Sequence, residues 1–106
     1  MTMPHFVVYA LDKPDREAAR LEQRAAHRAR LRDHDHPVLV QVGGPLLDAD
    51  GRMIGSLLVV EAASQVAVEA FVAGDPYQLT DVYGSVRVHP FNWGLGNPVG
   101  AGATHG

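Results

Sequence analysis

Three short stretches of this chain, VVYAL (7–11), VLVQV (38–42) and SLLVV (56–60), carry apolar residues at both parities of a β-strand. Successive strand side chains point to opposite faces of a sheet. A sheet built from these stretches therefore has two apolar faces, and both must be covered. The rest of the chain supplies two helical stretches, which suffice for one face of a small sheet. The simplest cover for the other is a second copy of the chain, packed sheet against sheet.

The order of elements follows from chain breakers and periodicity. HFVVYAL (5–11) is β-branched and aromatic and stops at Asp12-Lys13-Pro14, which predicts a first strand. From Asp15 to about Asp35 the chain is rich in Ala, Arg, Glu and Leu, without Gly or Pro. That predicts a helix capped by Asp15 and ended before Pro37. VLVQVGG (38–44) predicts a second strand, closed by Gly43-Gly44-Pro45, and Asp48, Asp50 and Gly51 mark a loop or hairpin tip over 45–53. IGSLLVVEA (54–62) predicts a third strand. Ser64 then caps a second helix bearing Val66, Val68, Ala70, Phe71 and Val72. That helix ends at Ala73-Gly74 with Gly74 in the left-handed conformation. Asp75 caps the next turn, with Pro76 at its first position. GSVRVHPF (84–91) predicts a fourth strand. The class is α+β, and β-α-β-β-α-β is the ferredoxin-like arrangement: an antiparallel sheet with both helices on one face. Residues 1–92 are expected to form the domain. The Gly-rich tail, 93–106, is expected to be flexible or wrapped on the partner subunit.

A chain of 106 residues holds one hydrophobic core. Its formal net charge of −3 gives no reason to expect nucleic acid or an anionic membrane as partner. No apolar run approaches the ~20 residues of a membrane span. MTMPHFVVYALDKPD lacks the basic flank and cleavage site of a signal peptide, so a mature, cytoplasmic chain is expected. The absence of cysteine excludes disulfides and thiolate chemistry. GGP (43–45) lacks the lysine of a phosphate-binding loop, and Ser56 lacks the G-x-S-x-G context of a hydrolase nucleophile.

Arg16, Arg20, Arg24, Arg28 and Arg32 are spaced by four on the first helix, so successive ones are neighbours, and Arg30 lies beside them. Such a row reads first as a solvated face, offset by Asp12, Asp15, Glu17 and Glu22. A patch for an anionic ligand is the other reading. His27 sits inside the row, one turn before Leu31 and at the edge of the apolar stripe. A helical histidine is commonly a boundary residue. With a carboxylate on one ring nitrogen, however, the other can accept a proton near neutral pH. Asp75 is a candidate carboxylate, because it follows the second helix on the same side of the sheet. DHDH (33–36) contains four possible metal ligands, but they bracket a helix end where consecutive side chains diverge. No metal site is expected there. His89, in the last strand, reads as structural or interfacial.

FVVYALDKP near the start, RAAHRARL (24–31), GGPLLD (43–48), GSLLVVEA (55–62), AGDPY (73–77) and VYGSVRVHPF (82–91) occur together and in order. This set resembles the YciI-like (YCII-related) family over residues 5 to about 92. The resemblance implies a ferredoxin-like fold that pairs through its sheets into a dimeric α/β barrel. It also implies a histidine–aspartate pair in a pocket, which maps onto His27 through R-x-x-H and onto Asp75 through DPY. Fold relatives include small isomerases and monooxygenase-like barrels, and a branch of the family is linked to dehalogenation of aromatic compounds. Fold alone transfers none of these activities.

The expected function is general acid/base chemistry on a small anionic or phenolic molecule: proton transfer, isomerisation or elimination. In this reading His27 moves the proton and Asp75 holds its tautomer. Arg24 attracts the substrate's negative charge, and Ser56 and Tyr77 donate hydrogen bonds. Neither metal nor cofactor is called for. The alternative is a non-catalytic ligand-binding or accessory dimer.

Overall fold

The computed structural model describes residues 3–97. Its elements are β1 (His5–Asp12), α1 (Glu17–Arg32), β2 (Leu39–Leu47), β3 (Met53–Glu61), α2 (Gln65–Ala73), α3 (Pro76–Leu79) and β4 (Tyr83–Phe91). The sheet order is β2-β3-β1-β4, with every neighbouring pair antiparallel. This is the α+β, ferredoxin-like arrangement read from the order of elements, with one short turn of helix, α3, added before β4.

Strand parity divides the two faces. Phe6, Val8 and Ala10 of β1 are buried, opposite Val60, Leu58 and Ser56 of β3. They join Val68, Phe71 and Val72 of α2, Tyr77 of α3, and Ala19 and Leu31 of α1 in one core. Each large apolar side chain buried there contributes roughly 1.5–3 kcal/mol. Val7, Tyr9 and Leu11 point the other way, beside Val59, Leu57 and Gly55. All the helices lie on the core side. On the open side Tyr9 is 41% and Leu57 38% exposed.

Several boundaries differ from the sequence reading, each for a local reason. The N-cap of α1 is Arg16, with no side-chain cap, because Asp15 takes a left-handed φ of 61° and cannot serve. The helix ends at Arg32, and Asp33–His36 form turns in which the Asp33 carboxylate accepts from the Asp35 N–H (2.9 Å). β2 does not close at Gly43-Gly44-Pro45 but runs on to Leu47. It is an edge strand, where a proline lacking its N–H is tolerated. Gly74 is not left-handed: its φ is −94°. A Cβ there would meet the Arg30 guanidinium, the mobile end of a long side chain.

Of the tail expected over 93–106, residues 98–106 lie outside the described residues. Its start packs on its own chain: the Trp93 ring meets Phe91 and His5 edge-on, at 5.1 and 6.2 Å between centroids. Among the described residues no helix is long and apolar enough to cross a membrane.

Gly55 marks the tightest approach in the sheet. It pairs with Leu11, and a Cβ there would overlap the Ala10 carbonyl oxygen. Gly55→Ala is therefore expected to lower stability by about 1–3 kcal/mol through backbone displacement. The measurement is a downward shift of the urea midpoint with the slope retained.

Candidate active site

The site is built where α2 stops. The Gly74 and Asp75 N–H groups donate to the Phe71 and Val72 carbonyls, at 3.2 and 3.0 Å, which closes the helix. Asp75 is then extended (φ −68°, ψ 135°), and its Oδ1 accepts the Tyr77 N–H at 2.8 Å, capping α3. Pro76 fills the first helical position, where no N–H is needed. The carboxylate faces α1 as well. His27 Nδ1 lies 2.8 Å from Asp75 Oδ1 and 2.9 Å from Oδ2, with both residues buried. Since Oδ1 already accepts a backbone N–H, the carboxylate is the acceptor and Nδ1 the donor. In the neutral ring Nε2 then keeps the lone pair. It has no hydrogen-bond partner among the described residues.

The His27 ring stacks on Tyr77 at 3.9 Å and 19°. Two turns back on α1, the Arg20 guanidinium carbon lies 4.3 Å from the centroid of the same Tyr77 ring. Arg20 is 2% exposed. It donates to both oxygens of Asp12, at 2.6 and 2.8 Å, and to Ser56 Oγ at 3.0 Å. Burial opposes the guanidinium charge, but the hydrogen bonds and charge of Asp12 outweigh it, and the net shift is upward from the ordinary value. Tyr83 donates to the same Ser56 Oγ at 2.9 Å. Burial, reinforced by the Asp75 charge, pushes the Tyr83 phenol well above its usual range, so it stays protonated. Burial also raises Tyr77. Ser56 Oγ thus accepts two hydrogen bonds, and its own hydrogen is left to donate elsewhere.

A cavity of about 380 Å³ opens against these groups, lined by Arg20, Arg24, His27, Arg28, Arg32, His34, Ser56 and Tyr77 from the polar side and by Val40, Pro45, Met53 and Leu58 from the apolar side. Asp75 does not line it. The aspartate stands behind the histidine, which leaves Nε2 as the ring nitrogen available to a ligand.

The five residues expected at the site, His27, Asp75, Arg24, Ser56 and Tyr77, lie in or against one cavity. Asp75 holds His27 from behind, and the other four line it. The arginine row is not a single solvated face. Arg20 is buried, Arg16 donates to the Thr80 and Asp81 carbonyls, and Arg30 donates to the Phe71 carbonyl. Arg20, Asp12 and Tyr83 are the site residues that the sequence reading missed. Two signals were present. Arg20 and His27 are seven apart, which returns to nearly the same helix face. Asp12 shares its parity with Phe6, Val8 and Ala10. In the DHDH stretch His36 packs edge-on against Phe71 at 5.2 Å, while His34 lines the cavity. Among the described residues no group of three or more His, Cys, Asp or Glu is placed to hold a metal.

Removing the Asp75 carboxylate strands the Tyr77 N–H and the His27 Nδ1–H in a buried place. Asp75→Ala is expected to cost about 1–3 kcal/mol. Asp75→Asn keeps a capping oxygen and is expected to cost less. Urea unfolding of the two variants beside the wild type checks the order. Equal losses would show that capping contributes little.

The sequence profile of the YCII-related domain matches residues 4–92. The chain is 38% identical over 92 residues to Protein YciI of Escherichia coli O6:H1, covering 81% of this chain and 94% of that one. The same figures hold for Protein YciI of Shigella flexneri. Among solved structures it is similar to 5-chloro-2-hydroxyhydroquinone dehydrochlorinase (TftG) of Burkholderia phenoliruptrix AC1100, in complex with 2,5-dihydroxybenzoquinone. That match has a TM-score of 0.74 at 33% identity, over 83% of this chain and 93% of that one. With a profile match running through all four strands and relatives of this identity along most of its length, the chain belongs to the YCII-related family.

Proposed function

We propose that this protein is a small-molecule enzyme in which His27 Nε2 moves a proton on a small anionic or phenolic compound. The observation that carries the reading is the two-sided placement of His27. Its Nδ1 is held by both Asp75 oxygens outside the cavity, while the ring lines the cavity with Nε2 unpartnered. The likeness to a dehydrochlorinase solved with a dihydroxybenzoquinone supports a ring-sized phenolic ligand.

In this mechanism Nε2 takes a proton from a hydroxyl or an acidic carbon of the bound compound. The electron pair of the broken bond moves into the conjugated system. It then either picks up a proton at another atom, which is isomerisation, or expels a leaving anion, which is elimination. Asp75 fixes the tautomer and compensates the positive charge on the ring while it holds the proton. Arg24 and the Ser56 hydroxyl hydrogen stabilise the oxyanion. Tyr77 contributes its ring, which fixes the plane of the imidazole. The imidazolium finally returns its proton to product or solvent.

The test is turnover of hydroxyhydroquinones with and without a ring chlorine, followed by ring absorbance and chloride release. His27→Ala is expected to lose about 10²–10⁴-fold in rate, the usual worth of a general base. Asp75→Asn should lose at least tenfold while remaining folded. Wild-type rates in His27→Ala would overturn the assignment. Tight binding without turnover by the wild type would favour a ligand-binding module.

We further propose that a second copy covers the open sheet face, completing a dimeric α/β barrel. Exposed Tyr9, Leu57 and Phe91 lie on that face. Among the described residues, Gln41 Oε1 and Trp93 Nε1 are buried without a hydrogen-bond partner, and Trp93 packs on Phe91 of that face. Position 57 is the proper probe, since Leu58 faces the helices and is 2% exposed. Leu57→Asp should convert a sedimenting dimer to monomer or insoluble chain, because a buried unpaired charge is costly. A stable wild-type monomer at micromolar concentration would sink the proposal.

A further inference from the structure

The cavity is electrostatically one-sided. Arg20, Arg24, Arg28 and Arg32 all line it, and no aspartate or glutamate does. The Arg20 charge is already matched by Asp12. Arg24, Arg28 and Arg32 have no ion pair or hydrogen bond among the described residues. The remaining arginines of the helix, Arg16 and Arg30, are engaged by backbone carbonyls away from this cavity. The helix therefore separates arginines that dock it from arginines that face the cavity.

An ordinary solvated helix face pairs its charges at spacings of three or four. No acidic residue stands at those spacings from Arg24 or Arg28. Instead Arg24–Arg28 and Arg28–Arg32 are like-charge pairs, which disfavour the helix. From Arg24 to Arg32 the helix rises about 12 Å, at about 1.5 Å per residue. Arg20 already donates to Ser56, and Arg24 stands one turn before His27, so an oxyanion beside His27 and Ser56 has cations at hand without Arg28 and Arg32. Arg28 and Arg32 lie further along the same helix, toward His34, with no ion pair among the described residues.

Building on the assignment of His27 as the base, we propose that Arg28 and Arg32 form a second anion subsite. The substrate is then a small ring compound that carries, besides its reacting hydroxyl, a separate carboxylate or phosphate. A cavity of about 380 Å³ is large enough for such a molecule. Arg24 and Ser56 hold the reacting oxygen, and the second acidic group sets specificity.

The experiment is calorimetric binding of hydroquinone, gentisate (hydroquinone with one ring carboxylate) and hydroquinone monophosphate. The wild type should bind at least one of the two anionic compounds tenfold or more tighter than hydroquinone, and added salt should shrink that advantage. Whichever gains more identifies the second group as carboxylate or phosphate. Arg28→Gln with Arg32→Gln should reduce the advantage at least tenfold; its melting curve reports its fold, and each single variant should lose part of the advantage. The subsite is overturned if no member binds, if hydroquinone binds as well as both anions, or if the double variant keeps the wild-type preference. His27→Ala separates this from the proton-transfer reading. A preference that survives in His27→Ala, without any turnover by the wild type, supports the subsite and rejects the enzyme. Turnover that depends on His27 without any anion preference does the reverse.

Discussion

One carboxylate holds three parts of the chain together. Asp75 caps α3 through the Tyr77 N–H and receives His27 Nδ1 on both oxygens. A carboxylate has about four acceptor sites, so it meets both demands without competition. The cap fixes where the carboxylate points, and the histidine fixes where α1 lies against the α2–α3 junction. The buried residues of α1 are Arg20 and His27, and its apolar contribution to the core is confined to partly buried Ala19 and Leu31. This helix is docked by polar contacts far more than by a hydrophobic stripe.

Such docking is a poor way to gain stability. Desolvating a buried ion pair costs several kcal/mol per ion, and well-packed apolar residues of similar volume often do as well or better. What the Arg20–Asp12 pair supplies is placement. A planar guanidinium can meet both Asp12 oxygens, donate to Ser56 and lie against Tyr77 at once. An aliphatic side chain could fill that volume but would leave Ser56 Oγ with the Tyr83 hydroxyl as its one remaining donor among the described residues and Asp12 without its cation.

Some local rules read correctly and others did not: the caps at Ser64 and Asp75 stand, while Asp15 does not cap α1 and Gly43-Gly44-Pro45 does not end β2. Strand order, the cap at Ser64 and the cap at Asp75 followed from periodicity and turn chemistry, and the Ser64 side chain does accept the Ala67 N–H. The sequence was illegible where two rules gave the same pattern. SLLVV is apolar at both parities, so nothing local decided whether Leu57 or Leu58 faces the helices; the Ala10–Ser56 register decides it. The arginine row misled for a geometric reason. Each step of four residues turns about 40° around the helix. A row that looks continuous in sequence therefore winds from the loops before β4, past the buried Arg20, to the cavity. The pairing of His27 with Asp75 across 48 positions was one candidate from helix placement, which the family resemblance strengthened.

The geometry of His27 shows what the polar docking achieves. Rotation of its ring is opposed by the Asp75 oxygens on one edge and by the Tyr77 face at 3.9 Å. Tyr77 is itself held by its N–H on Asp75 and lies beside the Arg20 guanidinium. Each support thus rests on another that is fixed by secondary structure: a helix cap, a strand end, a residue two turns away on the same helix. A ring held from two sides needs little reorganisation, and the proposed proton transfer relies on preorganisation of this kind. The cavity-facing arginines are the complement of that rigidity. They are exposed and have no ion pair among the described residues, so they are freer to move than the imidazole. On one helix, then, Arg20 is fixed by Asp12 beside Tyr77, while Arg24, Arg28 and Arg32 face the cavity without an ion pair among the described residues.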